Sequence, residues 1–146
     1  MKSSSSARHR ARKLAVQALY QTQYVSTSPS KVIEEFIEDN DLKRADIDYF
    51  KVLVMGATKH QASLWQAIEP LLDRDGDDID SVERSILLVG AYELREHIEV
   101  PFRVVISEAI DIAKIFGATD SYKYVNSILD RLSVDFRAVE TSVAGP

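Results

Sequence analysis

Apolar residues recur along this chain three and four positions apart, which is the spacing of one face of an α-helix. The first such segment begins near residue 10, and its apolar positions are Ala11, Leu14, Ala15, Ala18 and Leu19. The opposite face of the same segment carries Arg10, Lys13, Gln17, Tyr20 and Tyr24. No alternating pattern typical of a β-strand rises above the helical signals. The pattern therefore predicts an all-α protein.

Helix start signals divide the rest of the N-terminal half. Ser28 can cap a second helix, because Pro29 follows it at the first helical position. The inward positions of this helix would be Val32, Ile33, Phe36 and Ile37. Asp46 or Asp48 can cap a third helix, which either continues toward Pro70 or breaks between residues 60 and 64.

The C-terminal half contains the most apolar helix. Asp80, with Glu83 three residues later, makes an Asp variant of a capping box. The helix that follows is apolar on nearly all sides from Ile86 to Ala91, which is typical of the centre of a bundle. The remaining boundaries are Pro101 and Gly117 for the next helix, and Asp120 or Ser121 as the cap of the last one.

These signals predict one compact bundle of six or seven helices. A chain of 146 residues is too short for two independent domains. We expect a basic, partly disordered arm over residues 1–13, because Ser3 to Ser6 are polar and small. The helical domain is expected over residues 8–135 and a loose tail over residues 136–146.

Charge is distributed unevenly between the start of the chain and its remainder. The five cations among the first 13 residues are Lys2, Arg8, Arg10, Arg12 and Lys13, and no acid precedes Glu34. The rest of the chain carries 13 basic and 23 acidic residues, a formal charge of −10 within a total of −5. A basic arm on an acidic body is the pattern expected of a polyanion contact, although a solubilising terminus has the same composition.

Several classes of chemistry are excluded or disfavoured. The chain has no cysteine and no phosphate-binding glycine motif, and His9, His60 and His97 lie far apart. An EF-hand loop from Asp73 fails because its sixth and twelfth positions are Asp78 and Arg84. We expect no catalytic residue, no metal and no cofactor. The basic start lacks the apolar region of a signal peptide, and no segment is apolar over the length that spans a bilayer. The protein is therefore expected to be cytoplasmic, with no membrane partner.

Three segments together resemble one family, in the right order and spacing. They are ARHRARKLAVQALYQ, VERSILLVGAYEL and VPFRVVISEAIDIAKIFGATDSYKYVNSILDRL. This chain is similar to the NusB family of transcription antitermination factors over about 130 residues. The chain departs from the family pattern at His9, where an arginine is usual, at Ser107 and Ser127, and at Tyr124, where a phenylalanine is usual. Tyr124 keeps an aromatic ring.

The resemblance implies a fold of two packed helical halves and a non-catalytic function in RNA binding. NusB-like proteins pair with NusE, a small-subunit ribosomal protein, and the pair binds the boxA element of nascent ribosomal RNA transcripts. They take part in an antitermination complex with RNA polymerase and support ribosomal RNA maturation. The implied RNA-binding residues are Lys2, Arg8, His9, Arg10, Arg12, Lys13, Asp120 and Tyr124, and the implied NusE-facing residues are Tyr20 and Glu83.

Physical chemistry supports the same assignment, because single-stranded RNA is held by cations along its phosphates and by aromatic rings beneath its bases. A helix-turn-helix DNA-binding protein is the main alternative, but only the first predicted helix has a clear basic excess. A protein-only adaptor is the second alternative. Tyr124 could instead pack beside Ile128 in the core, and Asp120 and Glu83 could act only as helix-capping residues.

Overall fold

The computed structural model describes residues 4–23, 28–39, 42–73 and 79–144. Within these ranges the chain forms eight α-helices and no strand. The helices are α1 (Ser5–Thr22), α2 (Pro29–Asp39), α3 (Ile47–Lys59), α4 (Gln61–Ile68), α5 (Ser81–Glu96), α6 (Phe102–Phe116), α7 (Ser121–Phe136) and α8 (Ala138–Ala144). A short 3-10 turn, Glu69–Leu71, follows α4. The all-α prediction is confirmed, with a helix count slightly above the expected six or seven.

Side-chain caps determine where several of these helices begin. Ser28 Oγ accepts a hydrogen bond from the amide of Lys31 at 3.3 Å, and Asp46 Oδ1 accepts one from Tyr49 at 3.0 Å. Asp80 Oδ1 accepts a hydrogen bond from the amide of Val82 at 2.7 Å. These bonds satisfy amide groups that have no partner within the helix. The third predicted helix does not run on to Pro70 but breaks at His60, where α3 ends and α4 begins.

Helix α5 lies at the centre of the bundle. It packs against α1, α3 and α4 on one side and against α6 and α7 on the other. Every residue from Ser85 to Leu94 is buried, as the all-round apolar pattern predicted. The two groups of helices that meet on α5 correspond to the two packed halves expected for the fold. Ile37, in contrast, was predicted to face inward and is 37% exposed at the end of α2.

Helices are present near both ends of the described chain. Helix α1 already begins at Ser5, because the side chain of Ser4 accepts a hydrogen bond from the amide of Ala7. The tail expected to be loose from residue 136 contains α8, which packs against α7. A serine-rich segment can thus supply an N-cap, and the predicted disorder of the arm and the tail stays a prediction.

A buried arginine explains why the tail is held in place. Arg137 is buried, and its guanidinium donates to the carbonyl oxygens of Leu94 at 2.6 Å and His97 at 2.9 Å, at the end of α5. Glu140 Oε1 accepts from the same guanidinium, and its other oxygen accepts from the amide of Phe102 at 2.9 Å. One side chain thus caps the C-terminus of α5, and another caps the N-terminus of α6.

Candidate nucleic-acid interface

The first two turns of α1 present a basic surface to solvent. Arg8, Arg10 and Lys13 are all partly exposed. Arg10 Nη1 donates to Ser6 Oγ at 2.6 Å, one turn earlier in the same helix. Arg8 lies over the ring of Tyr49, with its guanidinium carbon 4.4 Å from the ring centroid. We define Arg10 and Lys13 as the basic face of α1, because Arg8 lies on the opposite side of the helix, over Tyr49. Lys2 lies outside the described residues.

Arg12 does not belong to this basic face. Its side chain is 3% exposed, and its Nε donates to Glu93 Oε1 at 2.8 Å in the centre of the bundle. Tyr49 donates its hydroxyl proton to Glu93 Oε2 at 2.5 Å, so both carboxylate oxygens have a partner. The contact of Arg12 with RNA stays a prediction. Arg12, assigned to RNA by resemblance, is engaged in a buried cluster of Arg12, Tyr49 and Glu93.

The proton affinities within the buried cluster follow from its charges. Burial alone would lower the pKa of Arg12, but the hydrogen bond and charge of Glu93 outweigh it, so its pKa lies above the ordinary value. Burial raises the pKa of the Tyr49 hydroxyl, and the negative charge of Glu93 raises it further. Arg12 therefore keeps its positive charge at neutral pH, and the Tyr49 hydroxyl keeps its proton.

His9 is also engaged with the protein. Its Nδ1 contacts Glu108 Oε2 on α6, and the other oxygen of Glu108 lies 3.8 Å from Arg12 Nη1. Glu108 therefore connects the basic start of α1 to α6. The carboxylate of Glu108 offsets positive charge in this part of α1. Its contact with RNA stays a prediction.

The sequence contained a signal for the buried cluster that periodicity analysis did not use. Arg12 precedes Ala15 and Val16 by three and four residues, and these are buried positions of α1. The same spacing places Arg12 on the buried side of the helix. Glu93 is likewise an acid within the otherwise apolar run of α5. A buried cation and a buried anion in separate helices suggest each other as partners, because neither is tolerated alone.

A large groove runs beside Arg8. It has a volume of ≈ 1140 Å³ and lies between the starts of α1, α3 and α6. Arg8 and Tyr49 line it together with the acids Asp48, Glu99 and Glu108. The acids outnumber the exposed cations here, so this groove is a poor binding site for phosphates. The outward side of α1, where Arg10 and Lys13 lie, is the better one.

Two further predicted RNA contacts lie on the first turn of α7 and just before it. Asp120 is exposed, has a φ of 70°, and makes an ion pair with Lys123 at 3.3 Å. Asp120 occupies the N-cap position of α7, one of the two positions predicted, but its side chain makes no capping hydrogen bond. Tyr124 is partly buried and packs against the core. Helix α6 contacts both α1 and α7 and connects these residues to the basic face.

The predicted partner-facing residues differ in exposure. Tyr20 is 40% exposed and lines an apolar groove of ≈ 500 Å³ between α1, α2, α5 and α6. Glu83 is only 5% exposed, although the neighbouring Val82 lines that groove. The structure thus presents Tyr20, rather than the side chain of Glu83, to a protein partner. A contact of either residue with NusE stays a prediction.

The part of the chain that the structure describes was searched for metal-binding clusters and for membrane-spanning helices. No group of three or more histidine, cysteine, aspartate or glutamate side chains is arranged there to hold a metal ion. Across the same residues, no helix has the length and apolar character needed to cross a bilayer. What the site offers is a small all-helical scaffold with cations exposed along one helix.

Comparison with known proteins identifies this scaffold. The model of the NusB family matches residues 9–133. Transcription antitermination protein NusB of Marinobacter nauticus is 48% identical over 134 residues, covering 92% of this chain and 85% of the relative. The NusB of Colwellia psychrerythraea is 51% identical over 127 residues, covering 86% of this chain and 91% of the relative. The chain therefore belongs to the NusB family.

Solved structures agree with this assignment. NusB of T. maritima superposes with a TM-score of 0.78 at 29% identity, covering 91% of this chain and 92% of that one. A crystal structure of the antitermination factors NusB and NusE in complex with dsRNA matches with a TM-score of 0.81 at 26% identity. It covers 91% of this chain and 100% of the matched chain. The fold derived above is the fold of these proteins.

Proposed function

We propose that this protein is a non-catalytic, RNA-binding transcription antitermination factor. With NusE it would bind boxA in nascent ribosomal RNA transcripts, and it would support their transcription and maturation as part of an antitermination complex with RNA polymerase in the cytoplasm. One observation carries the proposal: the basic face of α1 presents its cations to solvent on a member of the NusB family. The matched complex of NusB, NusE and RNA supports it.

The chemistry of the basic face suits the phosphates of an RNA strand. Arg10 and Lys13 lie within one turn of α1, about 60° apart around its axis, so their charges act on neighbouring phosphates. The rest of the protein has a net negative charge, which disfavours RNA over most of the remaining surface. Partial exposure leaves the cations hydrated in the free protein and able to replace condensed counterions on the RNA.

Removing charge from the basic face tests the RNA-binding function. We expect Arg10→Gln combined with Lys13→Gln to weaken binding of a boxA-type single-stranded RNA. The slope of log K against log salt should become less negative by about 0.7 for each phosphate that no longer has a cation beside it. The matched control is Lys51→Gln with Lys59→Gln, which removes the same charge from exposed positions of α3. Equal losses in both double variants would show nonspecific electrostatics instead of a binding face.

Arg12 is unsuitable for this test, because its replacement disturbs the core. The assay should also compare the single-stranded RNA with a duplex of the same sequence. Stronger binding of the duplex would contradict single-stranded boxA recognition while retaining RNA binding. Circular dichroism of each variant verifies that the helical content is unchanged.

The NusE-binding part of the proposal rests on Tyr20. A partly exposed tyrosine beside an apolar groove is a frequent anchor residue in protein interfaces. We expect Tyr20→Ala to weaken NusE binding strongly and Tyr20→Phe to weaken it little, because the ring supplies most of the buried area. Titration of NusE against both variants measures this. Glu83→Gln serves as the companion variant, since Glu83→Lys would place a cation at a buried position.

A further inference from the structure

The connection between α6 and α7 is unusually tight. Gly117 ends α6 with an extended backbone, and a Cβ placed on it would lie 2.6 Å from the carbonyl oxygen of Ala113 and 2.8 Å from Ser121 Cβ. Glycine is therefore required at this position by space. The predicted role of Gly117 as a helix stop is confirmed, but not by a left-handed conformation. The result is that the last turn of α6 and the first turn of α7 lie side by side.

This close approach creates a cluster of two lysines around one tyrosine. Lys114 Nζ, from the last turn of α6, lies 4.9 Å from the centroid of the Tyr122 ring on α7. Lys123 Nζ lies 5.9 Å from the same centroid. Lys114 and Lys123 are exposed, whereas the tyrosine is partly exposed and packs against the core. A partly exposed aromatic ring thus has two cations close to it.

We propose that Tyr122 is a base-stacking platform for single-stranded RNA, with Lys114 and Lys123 binding the phosphates on either side of the stacked base. The inference deepens the proposed RNA-binding function and rests on it. It extends the candidate surface from the basic face of α1 to the far end of α6. Tyr122 and Lys114 were not among the residues that the sequence analysis assigned to RNA.

The chemistry of the cluster matches what unpaired nucleotides require. A base can stack on any aromatic face whatever its identity, and neighbouring cations hold the backbone that carries it. Asp120 pairs with Lys123 and offsets one of the two positive charges. Lys114 is exposed beside the ring on the other helix. The alternative role is structural, in which the lysine contacts only hold the ends of α6 and α7 together.

Two substitutions of the tyrosine separate stacking from packing. Tyr122→Phe keeps the ring, whereas Tyr122→Leu keeps apolar contact with the core and loses the aromatic face. We expect Tyr122→Phe to bind a boxA-type single-stranded RNA almost as the unaltered protein does. Tyr122→Leu should bind it at least about five-fold more weakly, the lower end of the effect of removing one stacked base. Thermal unfolding of both variants measures any structural contribution.

A fluorescent base analogue reports on stacking directly. 2-Aminopurine is placed at successive positions of the RNA, and its fluorescence is recorded on titration with each protein. Stacking on Tyr122 predicts one position whose quenching is retained with Tyr122→Phe and lost with Tyr122→Leu. Lys114→Gln should make the salt slope less negative by about 0.7, while Lys51→Gln on α3 should not change it.

The outcomes distinguish the platform from the proposed function itself. If the unaltered protein does not bind the RNA at all, the proposed function is wrong and the platform falls with it. If the unaltered protein binds and Tyr122→Leu binds equally well with the same quenching pattern, only the platform is overturned. Tyr122→Leu could also lose affinity together with a large drop in melting temperature, while the quenching pattern stays unchanged. That result would assign the tyrosine to the structural role and overturn the platform.

Discussion

The two sides of α1 use the same residue type for different purposes. Arg10 is partly exposed and bonds only to Ser6 on its own helix, among the hydrogen bonds described here. Arg12 is two residues later, about 200° around the helix, and is paired with Glu93 in the core. One arginine is available to a ligand and the other joins α1 to α5. A cluster of arginines in sequence is therefore not automatically a single binding surface.

The difference has an energetic cause. A buried ion pair loses its hydration, and this loss is offset only when the partners satisfy each other's hydrogen bonds. In the buried cluster, Tyr49 supplies the second hydrogen bond to Glu93. On the basic face no such compensation is needed, since water hydrates the cations. Substitutions on the buried side of α1 should therefore lower stability, whereas substitutions on its exposed side should lower RNA affinity.

The largest expected effect is that of Arg12→Met. It leaves Glu93 charged, buried and without its cation, so we expect the free energy of unfolding to fall by about 3–5 kcal/mol. Arg10→Met is the matched control and should change stability by no more than about 0.5 kcal/mol. Urea denaturation of both variants measures this. Similar losses at the two positions would contradict the division of α1 into a buried and an exposed side.

Tyr49→Phe should have an intermediate effect. It keeps the ring under Arg8 but removes a hydrogen bond to a charged carboxylate, a change that costs about 1.5–3 kcal/mol. The measurement is again the free energy of unfolding in urea. RNA affinity, measured without urea where both proteins are folded, should stay close to that of the unaltered protein. A stability equal to that of the unaltered protein would show that Glu93 does not depend on the hydroxyl.

The same tyrosine predicts a dependence of stability on alkaline pH. Because the pKa of Tyr49 is raised in the folded state, the folded protein holds this proton above pH about 10, where an unfolded chain releases it. Its contribution to stability is complete below that pH and decreases as the pH rises further. The unaltered protein should therefore lose stability above pH about 10 more steeply than Tyr49→Phe. An equal loss of stability in the two proteins above this pH would contradict the raised pKa of Tyr49.

The smallest effect is expected for Glu108→Gln. Glu108 is partly exposed and lies 3.8 Å from Arg12, whereas Glu93 lies at 2.8 Å. We expect its loss to lower the free energy of unfolding by less than about 1 kcal/mol, as for exposed ion pairs. Comparison with Glu93→Gln in the same urea assay ranks the two acids. A larger loss for Glu108→Gln would place the main partner of Arg12 on α6 instead of α5.

Much of the local structure could be predicted from neighbouring residues. The caps at Ser28, Asp46 and Asp80 act within two or three positions of themselves, and the apolar run of α5 indicates its burial. The tail could not be predicted in this way. Arg137 is ordered by carbonyl groups at the end of α5, about 40 residues earlier in the chain. No local pattern reports such a partner.

The sequence by itself determined the helices, the central position of α5 and the concentration of cations near the start of the chain, because each depends on spacing and composition alone. Only the tertiary structure decided which cations are exposed. Glu93 stands 81 residues from Arg12 and meets it only when α5 packs against α1. Likewise, Lys114 and Tyr122 become neighbours only through the tight turn at Gly117. Charges act through space, and their distances are set by the packing of helices.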